Sequence, residues 1–130
     1  MIIRFINSRL QSIKNAIIGW WHVIRTQKNA WIHLLATVTV VLISIWVNLS
    51  IQDWSVLLLI IALVWIAEFL NTALEIIVDL VSPDMHPLAR VGKDVGAAAV
   101  LIAAAVAVII GILLLGPPLM VKVNGLLPMN

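Results

Sequence analysis

The sequence predicts an all-α integral membrane protein, and three observations lead there. Hydrophobic residues make up 63% of the 130 positions and charged residues only 11%, with a mean hydropathy of +1.15. An average soluble domain is about half apolar and about a quarter charged, and a domain this small leaves too much area exposed to hide such an excess from water. The apolar residues also gather into three stretches long enough to cross a bilayer as helices. The same excess excludes intrinsic disorder. By length the chain is one domain, with no visible internal repeat or separate soluble part.

Residues 1–29 read as an amphipathic helix lying in the headgroup region. Ile3, Ile6, Leu10, Ile13, Ile17, Trp20, Trp21 and Ile24 recur at helical spacing, and Arg4, Arg9, Lys14, Arg25 and Lys28 punctuate them. No compact apolar core precedes a small-residue cleavage site, so a signal peptide is a poor match. Residues 30–49 carry no charge and form the first expected span. The second, 54–80, is charge-free only to Ala67, after which Glu68, Glu75 and Asp79 appear; the third covers 94–116. Residues 48–53 form a short polar turn suited to an antiparallel hairpin. Pro83 and Pro87 interrupt the chain between spans two and three, and Pro117-Pro118 is expected to end the third helix, leaving 117–130 as a disordered or peripheral tail.

Five basic residues precede the first span, and Arg90 and Lys93 lie between the second and third. Only Lys122 lies on the opposite side, so the positive-inside rule places the N-terminus in the cytoplasm and the C-terminus outside, in a multi-pass protein of a plasma or inner membrane. Trp20, Trp21 and Trp31 mark the inner interface, Trp46 and Trp54 the outer one, and Trp65 is expected to pack between helices. The absence of cysteine excludes disulfides, thiolate zinc sites and a cysteine nucleophile. A net charge of +2 is too weak to argue for a nucleic-acid partner.

The chemistry lies in Glu68-Phe69-Leu70-Asn71-Thr72-Ala73-Leu74-Glu75-Ile76-Ile77-Val78-Asp79. At about 100° per residue, Glu68, Asn71, Glu75 and Asp79 share an arc of roughly 80°, running about 16 Å along the helix. A carboxylate facing lipid costs on the order of 3 kcal/mol near the bilayer centre, so the stripe is expected to face protein or a wet cavity. Such acids can serve helix association alone, and Asp79 can be an ordinary boundary residue. They can also hold a hard cation such as Mg²⁺, and a partly desolvated carboxylate can act as a general base. Depth alone makes Glu68 the base candidate and Glu75 the better metal ligand.

Lys93 and Asp94 sit where the third helix is expected to begin. A lysine there, helped by backbone N–H groups, makes a phosphate site; alternatively Lys93 is a positive-inside anchor and Asp94 an N-cap. The spacing of a P-loop is absent. Gly96 and the alanines after it leave room for a close helix or ligand approach. His22, His33 and His86 are scattered without metal spacing and read as interfacial or hydrogen-bonded residues.

Glu68-x-x-Asn71-Thr72-Ala73-x-Glu75-x-x-x-Asp79, followed by Lys93-Asp94-x-Gly96-Ala97-Ala98-Ala99-Val100, resembles the signature of the prokaryotic diacylglycerol kinase/undecaprenol kinase family. The likeness runs from about Ser12 to Leu115, with Lys14, Ala16, Gly19 and Asn29-x-x-Ile32-His33 included. It implies a homotrimeric membrane lipid kinase that moves the γ-phosphoryl group of MgATP to a lipid hydroxyl, of diacylglycerol or undecaprenol. By matching position it implies Glu68 as catalytic base, Glu75 as magnesium ligand, and Asn71, Asp79, Lys93 and Asp94 as the nucleotide and active-site network. One departure stands out. Where the family pattern commonly has a second metal-binding Glu, this chain has Gln27, whose amide can coordinate Mg²⁺ but adds no charge. The competing expectation is an impaired relative acting as a non-enzymatic oligomer or ion-conducting protein.

Overall fold

The computed structural model describes residues 2–84 and 86–126, residue 3 by its backbone alone. The side chain of Ile3 in the amphipathic pattern, Met85 of the proline break and residues 127–130 of the expected tail therefore lie outside what is described. Four helices follow in order: α1 Ile2–Thr26, α2 Lys28–Trp46, α3 Ile51–Val81 and α4 Pro87–Asn124. There is no strand among the described residues. Helices α2, α3 and α4 are each long and apolar enough to cross a membrane.

The junction between α1 and α2 is a single residue. Gln27 leaves helical geometry (φ −99°, ψ 117°) and α2 starts at Lys28, earlier than the expected boundary. Its backbone N–H still donates to Val23 O at 2.9 Å, which closes α1. Val23, Ile24 and Ala30 are buried around this bend, packed against Trp65 and Phe69 of α3. The rest of the apolar face of α1, from Ile6 to Trp21, is uncovered by the chain, as suits a helix whose apolar side meets lipid.

The α2–α3 hairpin is tight because its polar residues satisfy the helix ends. Asn48 takes a left-handed conformation (φ 54°), which asparagine tolerates better than most residues. Leu49 N–H donates to Ser44 O at 3.0 Å. Ser50 caps α3: its Oγ accepts from Asp53 N–H at 3.2 Å and donates to Asp53 Oδ2 at 2.7 Å. A small core of Val47, Leu49, Leu57, Ile60 and Leu115 ties this end to α4.

Helix α4 differs from expectation at both ends. It begins at Pro87, with His86 as N-cap accepting from Leu88 N–H on Nδ1 at 3.2 Å. Proline suits the first helical position, whose N–H has no intrahelical partner in any case. Lys93 and Asp94 thus lie inside α4 rather than at its start, and neither a helix N-terminus at Lys93 nor an N-cap role for Asp94 survives. At the far end the helix does not stop at Pro117-Pro118 but continues to Asn124. Each proline removes the bond its own N–H would have made and crowds the carbonyl one turn back. Their fixed φ is helical, and later residues can still bond within the helix, so the element passes through at some local cost.

Candidate active site

At 1.5 Å per residue, α3 is about 46 Å long against a hydrocarbon core of about 30 Å. Counted from Trp54, Glu68 falls about 21 Å along the helix, Glu75 about 31 Å and Asp79 about 37 Å. With Trp54 taken as one edge of that core, the stripe would run from inside it to beyond the other edge, and exposure within the protein rises in the same order. Glu68 is 1% exposed, Asn71 is buried, Glu75 is half-buried and Asp79 is exposed.

Each member meets a different neighbour. Glu68 Oε2 faces His33 Nε2 of α2 at 3.6 Å, and both atoms are buried without another partner. Thr72 Oγ1 spends its proton on Glu68 O at 2.9 Å, so this buried hydroxyl closes on the backbone. Asn71 Nδ2 donates to Glu75 Oε1 at 3.1 Å, and Gln27 Nε2 donates to Glu75 Oε2 at 3.2 Å. Lys93 Nζ reaches both oxygens of Asp79, at 2.9 and 3.1 Å. Asp94 is exposed, turned about 100° around α4 from Lys93. The structure thus links Gln27, Asn71 and Glu75 in one cluster and Asp79 with Lys93 in another, while Asp94 stands apart.

Glycine 96 is where α4 comes close enough for this. A Cβ there would overlap Asn71 Oδ1, with Leu74 Cδ2 3.5 Å away. The expected close approach at Gly96 is met, and the residue it admits is Asn71. Trp65 does pack between helices: its Nε1 donates to Thr37 Oγ1 at 3.2 Å, and its ring lies 6.1 Å from those of Trp20 and Phe69.

Sequence reading missed His33 as a neighbour of Glu68. The available signal was its place just inside a charge-free span, where a polar side chain is expensive unless it faces protein. Among the described residues no three His, Asp or Glu side chains converge on one point. What the cluster around Glu75 does offer is one carboxylate flanked by two amides. Asn71 Oδ1 is buried with no partner, and amide oxygens and carboxylates are the hard donors that Mg²⁺ accepts. Glu75 with the amide oxygens of Asn71 and Gln27 would be a donor set of the kind that magnesium accepts. Chemically, the site joins a buried carboxylate, an oxygen-donor cluster one to two turns away, and a half-buried lysine beyond it.

A family model described as prokaryotic diacylglycerol kinase matches residues 14–115. The undecaprenol kinase of Bacillus subtilis is 38% identical over 114 residues, covering 88% of this chain and 93% of that protein. The diacylglycerol kinase of Synechocystis sp. is 44% identical over 112 residues, 85% of this chain and 64% of that one. The diacylglycerol kinase of Escherichia coli K12 is 40% identical over 81 residues, 62% of this chain and 66% of that one. No solved structure matches the chain.

Proposed function

We propose a reaction for a chain that belongs to the prokaryotic diacylglycerol kinase family and is a lipid kinase: transfer of the γ-phosphoryl group of ATP to the primary hydroxyl of a membrane lipid, diacylglycerol or undecaprenol. The observation that carries it is the placement of Glu68. It is a carboxylate only 1% exposed, at the buried end of a polar stripe whose other end, Asp79, is exposed.

In this reading the lipid keeps its tail in the bilayer and brings its hydroxyl to Glu68. The hydroxyl oxygen attacks the γ-phosphorus, the bond from that phosphorus to the β,γ-bridging oxygen breaks, and ADP departs. Glu68 takes the hydroxyl proton as the new P–O bond forms. Phosphoryl transfer asks for alignment and charge balance more than covalent help. Lys93 supplies positive charge at the outer end of the stripe once it exchanges Asp79 for phosphate oxygens. Glu75, with the amide oxygens of Asn71 and Gln27, would hold Mg²⁺. When bound, that ion neutralises charge on the phosphates. Asn71 also fixes the rotamer of Glu75, and Gly96 gives Asn71 the room to do so. Asp94, on the outer surface of α4, is proposed to meet the nucleotide rather than the acceptor. The cytoplasmic N-terminus and the homotrimer that the resemblance implies belong to the same proposal.

The test uses purified protein in lipid, labelled ATP, and both acceptors offered separately. Glu68→Gln should lower turnover by at least about 10²-fold, the scale of general-base catalysis, with unchanged helicity and thermal midpoint. Undiminished turnover in a folded variant would remove Glu68 from the mechanism. The competing reading, an impaired oligomer or an ion path, rests on Gln27; it prevails if neither lipid is phosphorylated by the unmodified protein with Mg²⁺ or Mn²⁺.

A further inference from the structure

We propose that His33 is the positioning residue for Glu68: its imidazole presents Nε2–H to Glu68 Oε2, so that the other carboxylate oxygen is left for the acceptor hydroxyl. The inference rests on the reading of Glu68 as the base and adds a residue to that site.

Three observations support it. His33 Nε2 and Glu68 Oε2 lie 3.6 Å apart across the α2–α3 interface, just outside hydrogen-bond distance. Each atom is buried and has no other partner. A buried polar atom left alone is costly, so two such atoms that face each other and nothing else are each other's partners.

The pair is also held in register by its surroundings. His33 and Thr37 are one turn apart on α2, and Trp65 and Glu68 are one turn apart on α3. Trp65 Nε1 donates to Thr37 Oγ1 at 3.2 Å, while the Trp65 ring stands 70° to the His33 ring with centroids 6.3 Å apart. Two contacts thus cross the interface side by side, Trp65 to Thr37 and Glu68 to His33, with Trp65 steadying the imidazole. The arrangement fixes the distance between α2 and α3 where the reacting carboxylate sits.

Space remains next to the pair. A cavity of about 200 Å³ on the α4 side is lined by Asn29, Ile32 and His33 of α2 and by Ala97, Val100 and Ala104 of α4. The imidazole therefore stands at the wall of an open volume rather than inside solid packing. A ring serving only as filler would not need its polar edge turned to the one buried carboxylate nearby.

The experiment compares His33→Phe, which keeps a flat ring without a donor, with His33→Gln, whose amide can present an N–H in its place. Loss of a hydrogen bond to a charged group predicts a fall in kcat on the order of 10- to 100-fold for H33F, with KM for ATP and for the lipid unchanged within about twofold. H33Q should recover most of that loss. A uniform loss in both variants, or a change confined to KM, would mean packing only and would overturn the inference. Should H33F not fold, the unmodified protein still decides. The imidazole ¹⁵N spectrum should show His33 protonated on Nε2, with that signal shifted by Glu68→Gln; an Nε2 signal indifferent to E68Q overturns the proposal. Full activity of E68Q would instead sink the reading of Glu68 itself, and loss in E68Q with full activity in H33F would sink the role of His33 alone.

Discussion

Gln27 and Asn71 each donate to a different oxygen of Glu75, so each carboxylate oxygen accepts from one amide. The same two side chains can turn their oxygens outward, because an amide offers a donor and an acceptor from one plane. A cation entering this cluster therefore meets one formal negative charge and must rotate two amides to gain their oxygens. A second carboxylate would change both terms. Gln27→Glu should raise affinity for Mn²⁺ or Mg²⁺ on the order of tenfold, since opposite charges at about 4 Å are worth on the order of 1 to 4 kcal/mol near a protein surface. Manganese binding followed by paramagnetic resonance on the purified protein checks this without reference to turnover. Unchanged binding would mean that Glu75 and the amides already form the whole metal site, or that the ion sits elsewhere. The stability of Q27E should fall slightly in the absence of metal, because two carboxylates then face each other where an amide now donates.

The α3–α4 seam shows how an element constrains the site. Gly96→Ala places a methyl group where Asn71 Oδ1 lies, so Asn71 must leave Glu75 or the helices must part. Overpacking of this kind costs typically about 1–3 kcal/mol, readable as a lower thermal midpoint together with reduced kinase activity. Gly92→Ala meets nothing within 4 Å on the same helix and should instead gain about 0.5–1 kcal/mol from helix propensity. Equal effects at the two glycines would show that the seam is looser than the geometry describes. Much at this scale was legible beforehand. Charge-free runs mark the spans because lipid tolerates no charge, and the 100° step of a helix puts Glu68, Asn71, Glu75 and Asp79 on one face. The one-residue break at Gln27 was hidden, since helical periodicity continues across it on both sides. The prolines misled because their meaning depends on position: Pro87 opens a helix, and Pro117 and Pro118 are carried inside one. Periodicity also names a face but never the residue opposite it. His33 and Glu68 are 35 positions apart in sequence, and only the crossing of α2 on α3 brings them together.

Across the whole molecule, the basic residues sort to one end. The α1–α2 junction meets Glu75, and Lys93 near the start of α4 meets Asp79. Seven of the eight Lys and Arg residues lie on α1, at the start of α2 or near the start of α4, and only Lys122 lies at the other end. Such an imbalance predicts that the site end faces the cytoplasm. Helix length agrees with the use of that side: α3 exceeds the hydrocarbon by roughly ten residues, and were Trp54 to mark the opposite face, the excess would emerge beside Glu75 and Asp79, within reach of a soluble nucleotide. Reporter fusions test the orientation directly. A reporter active only outside the cytoplasm should give signal when joined after Gly125 and none when joined after Ser82. The reverse pattern would leave Glu75, Asp79 and Lys93 facing away from cytosolic ATP, and phosphoryl transfer by this site would then have no donor.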